Sequence, residues 1–500
     1  WVAGAFELGI PHPPGHPLFV ILGKIATLVP FGSIPFRVHL LCGLMISCAI
    51  WIAGKIALEI WGEGSGLSIL LCLPLLGLSL PMWFHGVRAE VYPLNLLLGS
   101  LIVWCSLSLM KGKGSAWFWR LAFITGLGLS NHHYLIGLMA PGVLILIFLI
   151  EKTRNNFWKN IPPCIGFLLL GGAPYLLLPL RTFSGSTVHW GEANTLGGFF
   201  WMISADAFQK SVSRVEQVTP SGLFQNLWRF IDQNMGIVFA MTALVGLAFL
   251  FYKHWKLATG LLLLITFNLL SQVLFDFDPS NPDVAGYFLL TIWLAGILAV
   301  GPVTALLRFK HPALSQVTKR LLFILALSIP SFSLLSTLPD TVARADLSSA
   351  RDTDTFAYTS MQTVPTGSIV VPSYFETSFN FWYRDAVAGM RPDVLFIHRL
   401  FRTYPGYDQA LMMRYPSAQF PLLDTLLEAP AEKAELNADV LIEAALNRGV
   451  FFEHFPPEAH LFTEENRLLR AHLLPRGIFS QLMHVRAGPI SETQEQRNID

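Results

Sequence analysis

Several polar groups interrupt an otherwise apolar chain, and their residue types suit recognition of a phosphorylated, hydroxyl-bearing ligand. The sharpest is His12-Pro13-Pro14-Gly15-His16-Pro17. Paired prolines fix φ and forbid helix, and the glycine permits a turn. The resulting stiff loop could present His12 to a polar headgroup, where imidazole hydrogen-bonds phosphate or a sugar hydroxyl. The plainer account is a rigid loop that introduces the next helix. Arg88 and Glu90 stand at the mouth of an apolar stretch, ahead of Tyr92-Pro93-Leu94-Asn95. Ionisable groups at such a depth are costly and point to function. A carboxylate there could take the proton of an acceptor hydroxyl as a general base; alternatively the two side chains pair, or the arginine snorkels.

Asn131-His132-His133 falls at a helix junction. Adjacent helical histidines point about 100° apart, and no third ligand lies nearby in the sequence, so metal binding is not expected. Hydrogen bonding to an anionic ligand fits better. Arg37 and Arg181 lie where apolar stretches end. A guanidinium fork matches phosphate bidentately, though arginine also anchors helices at a membrane surface. Asp276, Asp278 and Asp283 lack the glycine and terminal glutamate of a calcium loop and read as a solvated loop. No P-loop, dinucleotide fingerprint or nucleophile elbow occurs in suitable context, and no cofactor is expected.

The elements that must position these groups are membrane spans. Of the 500 residues 53% are hydrophobic and 13% charged, against about 25% charged in soluble domains; mean hydropathy is +0.51. Runs such as 143–150 and 261–265 recur within uncharged stretches near the roughly 20 residues that cross a bilayer. Spans are predicted near 38–58, 66–84, 89–109, 116–131, 133–150, 162–180, 236–252, 257–275, 286–307 and 320–338, about ten in all. The fourth and fifth are short, and are either tilted or a broken pair around Asn131-His132-His133. Leu18 to Val29 is too short to cross and reads as an interfacial or re-entrant helix between Pro17 and Pro30.

Positive charge orients the spans. Lys111, Lys113 and Arg120; Lys152, Arg154 and Lys159; Lys253 and Lys256; and Arg308, Lys310, Lys319 and Arg320 all fall on one side, which reads as the cytoplasm. The polar clusters then share the opposite, non-cytoplasmic face. Beyond about residue 340 charges become frequent, and apolar runs at 368–371 and 393–397 alternate with helical patterns. The predicted division is a transmembrane domain over 1–338, with an external loop at about 182–234, and a soluble, non-cytoplasmic α/β domain over 339–500. The last ten residues, 491–500, are polar and read as frayed.

A net charge of +1 and the lack of a basic tract give no sign of a nucleic-acid partner. All five cysteines lie at or before Cys164, so no disulfide framework is implied for the soluble part. The chain opens at Trp1 without Met or a charged leader, and is expected to have lost its true N-terminus. Asn-X-Ser/Thr is missing from the external segments, which leans toward a bacterial inner membrane with the C-terminal domain outside.

Residues 8–19 (Leu8-Gly9-Ile10-Pro11-His12-Pro13-Pro14-Gly15-His16-Pro17-Leu18-Phe19), Arg37-Val38-His39-Leu40 and Ala89-Glu90-Val91-Tyr92-Pro93-Leu94-Asn95 resemble the transmembrane protein 260-like family, also called domain of unknown function 2723. Ser130-Asn131-His132-His133, Pro174 to Arg181, His189-Trp190-Gly191 and Arg391-Pro392-Asp393-Val394 follow in the same order. That family is similar to GT-C glycosyltransferases, which take sugars from polyprenyl phosphates. Its His-Pro-Pro stretch looks like that of protein O-mannosyltransferases, where it follows an acidic motif, typically Asp-Ser-Gly-Glu.

Counting back, this motif would fall just before Trp1, and Glu7 does not fit its position. His16 stands where the family usually has Tyr, and His39 where it has Asn. The resemblance implies a GT-C-like membrane fold and inverting transfer from a polyprenyl-phosphate donor to a protein, lipid or glycan hydroxyl. Glu90 would be a secondary acid. His12, Arg37, Arg88, Asn131, His132, His133, Arg181 and Trp190 would bind the donor's phosphate or sugar. Two other functions compete. A transporter or flippase predicts interrupted helices in two symmetric halves, which are not visible in the sequence. A non-enzymatic receptor or assembly subunit predicts that losing Glu90 and Arg181 leaves function intact while the soluble tail is indispensable.

Overall fold

A computed structural model describes residues 1–149, 151–182, 184, 186, 188–208, 220–270, 283–309, 315–398, 401, 404–415, 449–453 and 472–484. Asp276, Asp278, Lys310, part of the expected external loop (209–219 above all) and the polar tail lie outside these residues. Among the described residues six helices are long and apolar enough to cross a membrane: Ile34–Trp61, Tyr92–Met110, Arg154–Arg181, Ile237–Leu270, Val284–Arg308 and Gln316–Ala345. Two bent pairs raise the number to eight: Glu63–Gly77 with Leu80–Gly86 (62°), and Ala116–Gly137 with Ala140–Phe148 (93°). The short helix Pro17–Thr27 occupies the stretch expected to be interfacial.

Ten segments were expected, and the difference lies in two places. The fourth and fifth expected spans form one bent pair, and inside its first helix the backbone leaves helical geometry at His132 (φ −146°, ψ 82°). The expected spans 236–252 and 257–275 fall on Ile237–Leu270, which leaves helical geometry at His254 (φ −145°, ψ 60°). Both arms of that helix lie along Val284–Arg308. Gly246 meets Leu298, and Phe239 shares a small cavity with Ile292, while Thr291 donates to the Asn268 side chain at 2.7 Å. The chain therefore reverses near His254.

The chain divides into two compact units: one comprising His16–Tyr175 and Phe208–Leu347, the other Trp1–Gly15, Leu176–Ala207 and Ser348–Asp500. At the centre of the first, every side chain from Leu289 to Thr304 is buried, as befits a helix apolar all round. Two indoles lock it in place: Trp293 donates to the Ala49 carbonyl at 2.7 Å, and Trp61 donates to that of Ile297 at 2.9 Å.

The second unit holds a mixed five-stranded sheet in the order β2-β1-β3-β5-β4. The strands are β1 (Ile369–Val371), β2 (Leu395–Phe396), β3 (Val450–Glu453), β4 (Leu473–Arg476) and β5 (Phe479–Leu482). Strands β1 and β2 fall on the two apolar runs read from the sequence. They pair in parallel with each other, and β1 pairs in parallel with β3; β4 and β5 form an antiparallel hairpin turned at Gly477. Helix Phe375–Ala386 follows β1, and its start is held by the Glu453 carboxylate, which accepts from the Ser373 and Tyr374 amides and the Thr377 hydroxyl.

This unit does not begin near residue 339. Residues 1–15 and 176–207 join it for specific reasons. Ile10 bridges His189, and the Arg181 guanidinium donates to the carbonyls of Glu7 (2.8 Å) and Leu8 (2.9 Å). Trp190 packs on Phe375, Phe401 and Tyr404.

Candidate functional site

The expected site residues are shared between the two units. In the membrane unit the kink at His132 gathers a ring of imidazoles and phenols. His132 lies 5.4 Å from His16, 5.9 Å from Tyr92 and 5.8 Å from Tyr287, centroid to centroid. Tyr92 also meets His85 and Tyr287, each at 5.2 Å. His16 precedes Pro17–Thr27 with a left-handed backbone (φ 43°), and its Nδ1 donates to the Asn131 carbonyl. The Asn131 amide donates to Val91 at 3.1 Å, which ties the kink to the start of Tyr92–Met110. Glu90, two residues ahead of Tyr92, is half-buried.

His133 is half-buried, and its Nδ1 has no hydrogen-bond partner among the described residues. The break takes His132 itself out of regular helical geometry. Among the described residues no three His, Cys, Asp or Glu side chains are grouped so that they could hold a metal ion.

The arginines are engaged with the protein itself. Arg37 donates to the carbonyls of Phe31 (2.6 Å), Thr27 (2.6 Å) and Gly32 (2.9 Å). It clamps the turn that follows the short helix, using three of its five N–H groups. Arg88 pairs with Asp283 at 2.6 Å and lies over the Phe84 ring. Arg181 fixes the strand-like segment after Glu7, as described above. The sequence supplies fork-shaped donors at these positions. The structure occupies much of each fork with carbonyls or a carboxylate.

In the other unit, His12 stands 4.8 Å from Trp1 and 5.8 Å from Trp190. Its Nδ1 donates to the Pro13 carbonyl at 2.7 Å, and burial holds the imidazole down to about 4. The Trp190 aromatic cluster also contains His398, sandwiched between Phe375 (5.0 Å, interplanar 5°) and Phe401 (4.1 Å). Neither His398 ring nitrogen has a hydrogen-bond partner among the described residues. Ser186 donates to the Glu7 carboxylate beside this cluster.

The cluster is expected to make this unit acid-labile. Burial lowers His189 and His398 to about 4 each. Both stay neutral when folded, whereas the unfolded chain takes up protons below about 6.5. Their contribution is fully present above that pH and is lost as the pH falls from about 6.5 toward 4, by roughly 2–3 kcal/mol for each histidine. His398→Phe keeps the ring stack and removes one titration. Between pH 7 and pH 4.5 its near-ultraviolet melting temperature should fall less than that of the parent protein. Equal losses in the two proteins would refute the assignment.

His16, His85, Tyr92 and Tyr287 are cluster members that the sequence did not mark as site residues. His16 and Tyr92 sit within motifs already noted, but His85 and Tyr287 carry no local signal.

Residues 1–156 match the family described as Protein O-mannosyl-transferase TMEM260 N-terminal domain. The chain is 24% identical over 443 residues to Protein O-mannosyl-transferase TMEM260 of Mus musculus, covering 84% of this chain and 61% of that protein. It is 26% identical over 215 residues to Protein O-mannosyl-transferase tmem260 of Dictyostelium discoideum, covering 39% of this chain and 26% of that one. The chain thus spans less than two thirds of the length of these relatives. Among solved structures, an oligosaccharyltransferase of Archaeoglobus fulgidus with zinc and sulfate aligns with a TM-score of 0.48 and 13% identity, over 88% of this chain and 59% of that one. Oligosaccharyltransferase AglB of Archaeoglobus fulgidus, with an inhibitory peptide and a dolichol-phosphate, aligns at 0.44 and 13%, over 89% and 62%. The resemblance read from the motifs holds: residues 1–156 are similar to the N-terminal domain of the TMEM260 proteins, and most of the chain is similar to the mouse protein.

Proposed function

We propose that the chain is the membrane and adjoining soluble part of a glycosyltransferase that moves a sugar from a polyprenyl-phosphate donor to a protein hydroxyl. The observation that carries this is its similarity, across 84% of its length, to a protein named as a protein O-mannosyl-transferase. The reaction is placed on the non-cytoplasmic face, the periplasmic one in a bacterial inner membrane. That placement rests on the lysine-rich connections, which share the other side when the spans are counted.

The chemistry follows from what such a donor requires. A carboxylate takes the proton from the acceptor O–H, and the oxygen attacks the anomeric carbon. The bond from that carbon to the phosphate oxygen breaks, and the lipid phosphate leaves with the electron pair, inverting the centre. Hydrogen-bond donors in a site poor in water stabilise the departing charge. Glu90 is assigned the secondary acid's role, with Asn131, His132, His133 and His16 as donor-binding groups. His12 and Trp190 are assigned to the donor on the resemblance alone. Arg37 clamps the turn after the short helix, Arg181 holds the segment from Glu7 that leads to His12, and Arg88 pairs with Asp283.

The test uses the full-length protein in native-like membranes with mannosyl polyprenyl phosphate, following release of the lipid phosphate. Glu90→Gln is expected to lower release by roughly tenfold or more while remaining folded. No release from any polyprenyl-linked sugar, even with crude extract supplying acceptors, would sink the proposal.

A further inference from the structure

The lysine-bearing end of the membrane unit contains a cleft that the transfer chemistry does not use, and its lining points to a different ligand. Two connections far apart in sequence converge there: the end of Tyr92–Met110 with Lys111, and the reversal at 253–257. Together with Glu59 and Ile60 they line an open cavity of about 440 Å³, within the usual size range of small-molecule sites. We propose that this cleft binds the phosphate headgroup of an anionic phospholipid, with an acyl chain against its apolar wall. The proposal goes beyond the glycosyltransferase reading and does not depend on it.

Charge is the first argument. Glu59 is shared by Lys111 at 2.9 Å and Lys113 at 3.2 Å, and also accepts from the Trp104 indole at 3.3 Å. One carboxylate therefore serves two ammonium groups. Lys253 and Lys256 have no carboxylate partner among the described residues, although both line the same cleft. Net positive charge in a recess calls for an anion. The helix also restarts there after the break at His254, so the N-terminal end of its second arm contributes a positive dipole end to the same wall.

The remaining lining argues for a lipid over a free anion. Ile60, Leu107, Met110 and Leu257 supply apolar surface beside the lysines. Trp255 lines the mouth at 54% exposure, with Lys256 over its ring at 5.8 Å, and the neighbouring Tyr252 is fully turned outward. Exposed aromatics next to lysine mark the headgroup level of a bilayer. Basic recesses between spanning helices hold anionic headgroups by this combination.

The experiment places the full protein in nanodiscs of phosphatidylcholine with or without phosphatidylglycerol and counts retained lipid by native mass spectrometry. The parent protein is expected to keep phosphatidylglycerol in preference to phosphatidylcholine. Lys253→Gln with Lys256→Gln should weaken that retention about thirtyfold, with the two lysines acting together. Lys253 is exposed and Lys256 half-buried, and neither has a carboxylate partner among the described residues, so the fold should tolerate the change, and Lys253→Arg with Lys256→Arg should restore retention. Lys319→Gln with Arg320→Gln removes equal charge outside the cleft lining and should leave retention within about twofold. Equal loss from both double variants would reduce the effect to general surface charge and overturn the proposal. Displacement of the lipid by inorganic phosphate at matched concentration would assign the cleft to a free anion and overturn it as well.

Discussion

Leucine in place of Gly126 is expected to separate Ala116–Gly137 from Glu151–Gly172 and to cost the membrane unit roughly 3 kcal/mol or more. The two helices touch backbone to backbone. A Cβ built on Gly126 would lie 2.2 Å from the Leu168 carbonyl oxygen and 2.9 Å from the Gly171 Cα. One on Gly171 would lie 2.1 Å from the Phe123 oxygen. Nothing flexible stands at either spot to move aside, so the helices themselves must part. In lipid the apolar effect does not hold helices together, and close packing through small residues does much of that work. Parting the helices therefore removes the main attraction. Gly166 on the same helix has nothing within 4 Å of its added Cβ, and Gly166→Leu should be neutral. Detergent-titrated unfolding of the three proteins gives the answer. A Gly126→Leu midpoint matching that of Gly166→Leu would show that the helices do not meet this way.

The membrane character was legible because each span must meet a length and polarity requirement locally, and 92–110 or 284–308 do so without help from elsewhere. The small sheet was legible for the same reason, since the apolar runs at 368–371 and 393–397 are strand-length and bounded by polar turns. Pairing between distant segments left no such mark. The bridge between Ile10 and His189 and the bonds from Arg181 to Glu7 and Leu8 draw residues 1–15 and 176–207 into the unit with the sheet. No periodicity encodes that. The break at His254 falls between the segments expected at 236–252 and 257–275, where Lys253 and Lys256 interrupt the apolar run.

At the candidate site, residue type carried only part of the information. An arginine advertises its donors but not which acceptor they meet, and Arg37 meets three carbonyls of its own turn. Asn131 and His132 were found because they break an apolar helix. His16 stands where the resembling family usually carries Tyr, and the chain buries its ring and bonds it to the Asn131 carbonyl. His85 and Tyr287 reach the same cluster from separate segments, and only the packing reveals them.

Arg414→Met is expected to destabilise the sheet-containing unit by roughly 3 kcal/mol at neutral pH, because it strands a buried carboxylate. Asp385 lies in the last turn of Phe375–Ala386 with its side chain only 1% exposed. One Arg414 nitrogen donates to both of its oxygens, at 3.0 and 2.9 Å. A carboxylate at a helix C-terminus also faces the negative end of the helix dipole, so the arginine offsets two penalties at once. The pairing raises Arg414 above its ordinary range despite the burial that opposes it. Without the arginine, burial should push the Asp385 carboxyl above the usual carboxylate range. The variant's deficit is then full at pH 7 and shrinks as the pH falls toward about 4, where the carboxyl is protonated in both states. Asp385→Asn combined with Arg414→Met removes the buried charge along with its partner, and should recover much of the loss. Chemical denaturation at pH 7 and pH 5 compares the single and double variants. A single variant as stable as the double at pH 7 would mean that water, and not Arg414, satisfies Asp385.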